Sequence, residues 1–409
     1  MKNMNCHPGI LFVANVQGKK LVEARGIRCN LSIAGNAKVF GICQALRERG
    51  RDVCLYSPGT VAERSGKFHC ATNEQLGAGR NSIPVWYGTT VDNRLFRGVV
   101  EQVSLVLTIS RLIKTKRVGV VIIYNLSHIT LVAAFIAKSK RCKLILEYED
   151  SALASRTKKA PFWKKMFRLY ERLMRCWCFG VYAPSNELLD AIDLNNRLFL
   201  PGILTVDLIE ARIRSKSVAT ATVTTPLKLL YAGGLDESKG IDRFLAAVEL
   251  VDYPLEIHIC GRGPLAVSLE RRCFESRHDA RFHGLVSREQ LVEFQTQCHV
   301  GLNPHRTDLH EGGAWPFKVV EYLAGCGTVF CSRSGKIPED MAKHLFLYEG
   351  NTVEEIASAF QLFITQWPKL ARGVEQRRTW AVEQFAPDGV AYKLEALLDG
   401  NVSDDCKGV

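Results

Sequence analysis

No apolar run in the chain approaches the roughly 18–20 residues a bilayer-spanning helix needs, so a transmembrane protein is not expected. The N-terminus is equally short of targeting features. Met1–Pro8 is polar, and the apolar stretch Ile10–Val16 is brief and lacks a small-residue cleavage site, so it reads as a first strand and not a signal peptide. No two of the 14 cysteines form a C-x-x-C pair; Cys176/Cys178 and Cys326/Cys331 come nearest, and neither has zinc-site spacing. Scattered thiols in a long chain, several of them within apolar segments (Cys54, Cys142, Cys260, Cys298), behave as small hydrophobes and fit a reducing cytosol. The segment Ile33–Lys38 has a glycine, Gly35, but no G-x-G-x-x-G, so a dinucleotide fingerprint is absent there.

What the chain does have is length, alternation and positive charge. Its 409 residues exceed one ordinary core and suit two domains. A formal net charge of +12 calls for an anionic partner: nucleic acid, a membrane surface or a phosphate-bearing substrate. No nucleic-acid motif accompanies the charge.

Strands and helices alternate through the first half. Ile10–Val13, Asp52–Tyr56, Val118–Tyr124, Lys143–Tyr148 and Gly180–Pro184 read as strands, with helices over Lys38–Arg49 and Ser127–Lys138. The Ser/Thr/Ala-rich stretch Ser215–Thr225 reads as part of a linker. Alternation then restarts with strands Leu227–Ala232, Leu255–Cys260, Val300–Asn303 and Thr328–Cys331, and helices Ile241–Val251, Glu289–Gln297, Pro316–Ala324, Val353–Thr365 and Asp388–Leu398. The fold class this predicts is α/β, with two doubly wound parallel sheets. Ligands of such sheets bind outside the carboxyl ends of the strands, so two sheets facing across a cleft imply a ligand between them.

The densest constellation is His310–Gly327. Pro316 suits a first helical position, Gly312 and Gly313 permit close backbone approach, and a helix start is a ready anion site. Lys318 and Glu321 are neighbours on one helix face. In isolation they could equally be a surface ion pair. Here Pro316-x-Lys318-x-x-Glu321-Tyr322-Leu323-Ala324-Gly325-x-Gly327 resembles the donor-site signature of glycosyltransferase family four, retaining enzymes of the GT-B fold. Leu230–Gly240 resembles the family's first C-domain strand and phosphate loop, Ile257–Pro264 its second strand, and Arg281–Val286 the segment lying against the nucleobase.

The resemblance implies a first Rossmann-like, acceptor-binding domain over 1–203, a linker over 204–226 and a donor-binding domain over 227–380. A final helix and tail, 381–409, would pack back on the first domain. It implies a nucleotide-sugar donor, UDP- or GDP-linked, held by Gly35, Asn36, Gly233, Gly234, Gly263, His283, Glu311, Gly312, Gly313, Ala314, Lys318 and Glu321. Lys239 and the Gly312–Ala314 amides would stabilise the leaving diphosphate. Two departures stand out: the signature's first glutamate falls on Gly313, with Glu311 two residues earlier, and Gly234 replaces the arginine common in the phosphate loop. No aspartates stand two apart, so the Asp-x-Asp metal motif of the other glycosyltransferase fold is missing, and neither metal nor cofactor is expected.

At the strand end Glu147–Asp150, Glu149 or Asp150 would orient or deprotonate an acceptor hydroxyl, though acidic residues also simply end strands. Tyr124 and Asn125 share that sheet edge and are read as acceptor contacts. The helix Phe162–Trp177 carries an aromatic stripe and a basic face, as a membrane-surface helix does and as a core-packing helix with a solvated face does too. The resulting expectation is a cytoplasmic enzyme of surface polysaccharide or glycolipid synthesis. It would act on a glycan or polyprenyl-linked acceptor, peripheral at the inner face of an anionic membrane. A non-catalytic nucleotide-sugar-binding scaffold and a nucleotide-sugar epimerase are the alternatives.

Overall fold

In the computed structural model of the protein, residues 7–26, 33–60, 66–77, 79–93, 95–149, 161–215, 226–309, 317–333 and 337–403 are described. They form two compact units. One comprises the described residues up to 149 together with 161–200 and 387–403; the other comprises 201–386.

The first unit is built on strands β1 (Gly9–Val13), β2 (Val53–Ser57), β4 (Thr72–Leu76), β5 (Ile83–Tyr87), β7 (Val118–Tyr124), β8 (Lys143–Glu147), β9 (Gly180–Ala183) and β10 (Arg197–Phe199), with a separate two-stranded antiparallel ribbon of β3 (Phe68–His69) and β6 (Thr90–Val91). The main sheet runs β10-β9-β8-β7-β1-β2-β5-β4, parallel except for the β4–β5 pair. Its helices are α1 (Lys19–Arg25), α2 (Ile33–Glu48), α3 (Arg97–Thr115), α4 (His128–Ser139), α5 (Pro161–Trp177) and α6 (Asn186–Ile192). β7 is Val- and Ile-rich because it is central and covered on both faces, the expected signature of a parallel interior strand. The carboxyl-terminal part of α5 faces inward: Met174 is fully buried, with Leu173 and Trp177 packed against the core. Lys165, Arg168, Arg172 and Arg175 are exposed, so the charge is a solvated face.

The second unit has strands β11 (Leu227–Gly234), β12 (Leu255–Arg262), β13 (Asp279–Gly284), β14 (Val300–Asn303), β15 (Val329–Ser332) and β16 (Phe346–Tyr348). All are parallel, in the order β13-β12-β11-β14-β15-β16. Counted along this unit, that order is 3-2-1-4-5-6, the doubly wound Rossmann arrangement with its switch point between β11 and β14. The helices are α7 (Val206–Arg214), α8 (Ile241–Val248), α9 (Ala266–Glu275), α10 (Arg288–Gln297), α11 (Lys318–Gly325), α12 (Glu339–Ala342), α13 (Val353–Arg372) and α14 (Val374–Phe385). α15 (Pro387–Asp399) belongs to the first unit and packs on α2, where Arg49 reaches Asp388 at 2.8 Å and Glu395 at 2.6 Å.

Two corrections to the sequence reading follow. The stretch read as a linker over 204–226 holds a helix, α7, which packs on α10 and α11 and is tied by Arg212 to Glu375 on α14. α2 begins by Ile33 and not at Lys38, so Gly35 and Asn36 are helical residues and not a loop ahead of a helix. The expected α/β architecture itself is present.

Candidate functional site

The switch point of the second unit fixes where its ligand should lie: outside the carboxyl ends of β11 and β14. β11 ends in Gly233-Gly234, and Gly234 is exposed. The neighbouring β12 ends as tightly, since a Cβ on Gly261 would stand 1.9 Å from the Gly233 carbonyl oxygen and one on Gly263 2.3 Å from that of Leu235. Glycine is therefore required here by close backbone approach.

Beyond Gly234 the chain makes one 3₁₀ turn, Glu237–Lys239, capped by Asp236, whose Oδ1 accepts from the Ser238 amide at 3.0 Å. Gly240 follows at φ 67°, and a Cβ there would lie 2.0 Å from the Pro304 carbonyl oxygen. The Arg306 amide donates to the Ser238 carbonyl at 3.0 Å. The loops after β11 and β14 are thus fastened to each other across the switch point. This turn lays the Lys239 side chain beside Gly234, with Cε 3.9 Å from where a Cβ would be. Its half-exposed ammonium makes no hydrogen bond or ion pair among the described residues.

α11 enters through Phe317 and begins at Lys318. It is locked to β11 by Tyr322, whose buried hydroxyl accepts from the Ala232 amide at 2.7 Å; Gly301 on β14 leaves the room its ring needs. Glu321, one turn in, is 1% exposed. Its Oε1 accepts from Arg288 at 2.9 Å, and its Oε2 from Lys318 at 2.7 Å and Gln295 at 3.2 Å. Burial works against its charge, yet Lys318 and Arg288 hold the carboxyl below its ordinary range. Lys318 and Glu321 are neighbours as predicted, but Glu321 does not present open oxygens; it anchors a buried network that continues through Arg288 to Asp207 at 2.9 Å. Glu311, Gly312, Gly313 and Ala314, with Pro316, lie outside the described residues.

His283, at the end of β13, is half-buried and bonded through Nε2 to His258 Nδ1 at 2.9 Å. His258 Nε2 in turn reaches Glu256 at 2.9 Å, and Lys228 stands 3.0 Å from the same carboxylate. With Glu256 ionised, this chain sets the tautomers. His258 donates to Glu256, His283 donates to His258, and the remaining nitrogen of neutral His283, Nδ1, is a hydrogen-bond acceptor. Burial and the neighbouring His258 keep His283 neutral, with its pKa below the usual histidine range.

In the first unit the switch point falls between β1 and β7. Asn36 of α2 borders the loop after β1, accepting from the Gln17 amide at 3.4 Å. At the end of β7, Asn125 adopts φ 58° and receives the Glu149 amide on its side chain at 2.7 Å. Its part is therefore to fix the acidic strand end, a role the acceptor-contact reading of Tyr124 and Asn125 did not foresee. Glu149 is half-buried and ion-paired to Lys38 of α2. Asp150 lies outside the described residues.

Lys38 is a residue the sequence reading missed, although a lone lysine on the buried face of an apolar helix is a signal. It is 2% exposed, donates to the Leu200 carbonyl at 3.1 Å and stands 3.5 Å from Glu147. Glu147 is fully buried, and among the described residues neither of its oxygens has a hydrogen bond of regular geometry; the Tyr182 hydroxyl beside it is likewise unpaired. Burial, reinforced by the Glu149 charge and opposed by Lys38, raises the Glu147 pKa from 4.5 to about 8.

A folded-state pKa above the unfolded one means that the native protein holds a proton that the unfolded chain releases. Glu147 therefore costs stability progressively as pH rises from about 4.5 to about 8, by at most ~1.4 kcal/mol per pH unit. Glu147→Gln, which mimics the protonated acid, should raise the melting temperature relative to wild type at pH 8 and lose that advantage near pH 5. A constant difference across that range in thermal melts would contradict the assignment.

With this geometry in place, comparison with known proteins is informative. Residues 213–380 match the family of glycosyl transferases group 1. The matched residues lie within the second unit and include its glycine-ended strands and α11, which supports reading that unit as a glycosyltransferase domain. No curated protein matches the chain. Among solved structures, HepE of Anabaena in complex with UDP and glucose is 14% identical, with a TM-score of 0.61 over 96% of this chain and 100% of that one. The α,α-trehalose 6-phosphate synthase of Burkholderia multivorans is 13% identical (TM-score 0.58, 96% of each chain). AviGT4, a glycosyltransferase involved in avilamycin A biosynthesis, is 13% identical (TM-score 0.54, 96% of this chain and 97% of that one). At these identities the likeness shows the fold alone, GT-B with two Rossmann-like domains. No helix among the described residues is long and apolar enough to cross a membrane.

Proposed function

We propose that this glycosyltransferase moves a sugar from a UDP- or GDP-sugar to a hydroxyl of a glycan or polyprenyl-linked acceptor. The anomeric configuration is retained, no metal is needed, and the product is a surface polysaccharide or glycolipid. The observation that carries the reading is the open glycine end of β11 with the Lys239 ammonium, which has no partner among the described residues, beside it. Breaking a sugar–diphosphate bond builds negative charge on the leaving oxygen. A cation already in place stabilises that charge more in the transition state than in the ground state. The UDP bound by HepE supports a nucleotide donor. Retention and a lipid-linked acceptor rest on the resemblance to family four. His283, as an acceptor, would take a hydrogen bond from an N–H of the base or a ribose hydroxyl. Glu149, oriented by Asn125 and Lys38, would hold the acceptor hydroxyl. The setting proposed is the cytoplasm, at the inner face of the membrane.

A second reading, a nucleotide-sugar-binding protein without turnover, is favoured by glycine at positions 313 and 234 in place of the acidic and basic residues usual there. Purified protein incubated with UDP-, GDP- and CMP-sugars separates the two. Release of UDP or GDP, undiminished by EDTA, is the expected outcome. Saturable donor binding with no release in the presence of glycan acceptors would favour the second, and loss of release in EDTA would overturn the metal-free mechanism.

A further inference from the structure

α3 is apolar on two opposite faces. Its inner face buries Leu105, Ile109 and Leu112 in the core of the first unit. Its outer face presents Phe96, Val99, Val103, Val106 and Leu107, which are 63%, 64%, 54%, 40% and 67% exposed. At 100° per residue these five fall within a stripe about 100° wide, the width a globular helix normally turns towards a core. Preceding them, Leu95 is 83% exposed. Phe68, 57% exposed, comes from β3, which pairs with β6, and β6 packs against α3. Scattered exposed side chains are ordinary, but a run at helical spacing across three turns marks a surface that something covers.

The charge around the stripe says what kind of surface. From Leu95 to Arg117 the sole acidic residue is Glu101, which is buried and accepts from Thr90 at 2.6 Å. The exposed charges there are all positive: Arg111, Lys114, Lys116 and Arg117, at the carboxyl end of α3 and just after it. An apolar stripe bordered by cations and free of exposed acid complements an anionic lipid surface. Apolar side chains enter the acyl boundary while lysine and arginine meet the headgroups.

We propose that the outer face of α3, from Leu95 to Lys116, is a docking surface for an anionic phospholipid bilayer. It is an alternative to α5 as the membrane contact, since Leu173, Met174 and Trp177 of α5 pack on the core. The inference supplies the membrane side of the transfer reading above and rests on that reading for the lipid-linked acceptor alone.

Flotation of the full chain with phosphatidylcholine vesicles, and with vesicles of phosphatidylcholine and phosphatidylglycerol in equal parts, tests it. The wild type should float with the mixed vesicles, less so as salt rises, and the double variant Val103→Asp/Leu107→Asp should lose binding by about ten-fold or more. Val267→Asp/Phe274→Asp, on α9 of the other unit where both residues are at least 80% exposed, should float like the wild type. Equal flotation of the α3 variant, absence of wild-type flotation, or equal flotation with pure phosphatidylcholine each overturns the proposal. So does a wild-type dimer in light scattering that the α3 variant abolishes, since a second copy would then be the occupant. The assay scores binding and not turnover. A chain that floats but releases no nucleotide loses the transfer reading alone, and one that transfers but does not float loses this one.

Discussion

Lys239→Ala should lower kcat/KM for the nucleotide-sugar by about 10²–10³, with a thermal melting curve that overlays the wild type. The size comes from what one preorganised electrostatic donor at a developing oxyanion is typically worth, ~3–4 kcal/mol of barrier. The flat melting curve comes from the structure: the ammonium is half-exposed and engages nothing among the described residues, so its removal leaves no buried partner uncompensated. Lys239→Arg is the informative companion. A guanidinium restores the charge but is broader, and Gly234 stands against the lysine stem. Partial rescue would mark charge as the main contribution and shape as the lesser one. If Lys239→Ala turned over donor within two-fold of wild type, the diphosphate-binding assignment of this loop would fail, whatever the donor. If it lost activity together with ten degrees of melting temperature, the lysine would be structural.

This expectation was legible from the sequence because the loop is written locally. Gly233, Gly234, Lys239 and Gly240 stand within eight positions, and Gly240 answers a steric need seen in the fold, the close Pro304 carbonyl. The same holds for central strands such as β7 and β11, whose continuous apolar runs carry their own evidence. What escaped notice was written non-locally or ambiguously. α3 was overlooked because apolar residues on both of its faces blur the 3.6-residue period that betrays a helix. The strands β3, β4 and β6 are short and polar in part, and alternate too little to stand out. Lys38 and Glu149 are 111 positions apart, and Arg288 and Glu321 are 33 apart, so no spacing rule could have paired them. The α11 signature correctly brought Lys318 and Glu321 together, yet gave no hint that Gln295 and Arg288 would occupy the same carboxylate. Sequence motifs name the helix; only packing shows which lone pairs are already taken.

That occupancy makes Glu321→Ala a stability experiment as much as a catalytic one. Removing one partner from a buried charge network typically costs about 3–5 kcal/mol, because the charges left behind are uncompensated. Arg288 and Lys318 are each about a third exposed and can turn partly towards water, which places the expected loss near the lower end, about 3 kcal/mol. Glu321→Gln keeps an acceptor for Arg288 and the shape of the side chain, and should cost about half as much, measured by urea unfolding at pH 7. The pH dependence has the opposite sign to that of Glu147. Glu321 has a folded-state pKa below its unfolded value, so its contribution is fully present above about pH 4.5 and is lost as pH falls through the folded pKa. The wild-type advantage over Glu321→Gln should therefore hold at pH 7 and shrink in acid. A variant as stable as wild type at neutral pH would mean that Lys318 and Arg288 do not depend on this carboxylate, and would return Glu321 to the simpler role of a ribose ligand. If Glu321→Gln instead kept most of its stability and raised the donor KM many-fold with kcat little changed, the carboxylate would serve both purposes, exchanging one of its present donors for a ribose hydroxyl when the nucleotide arrives.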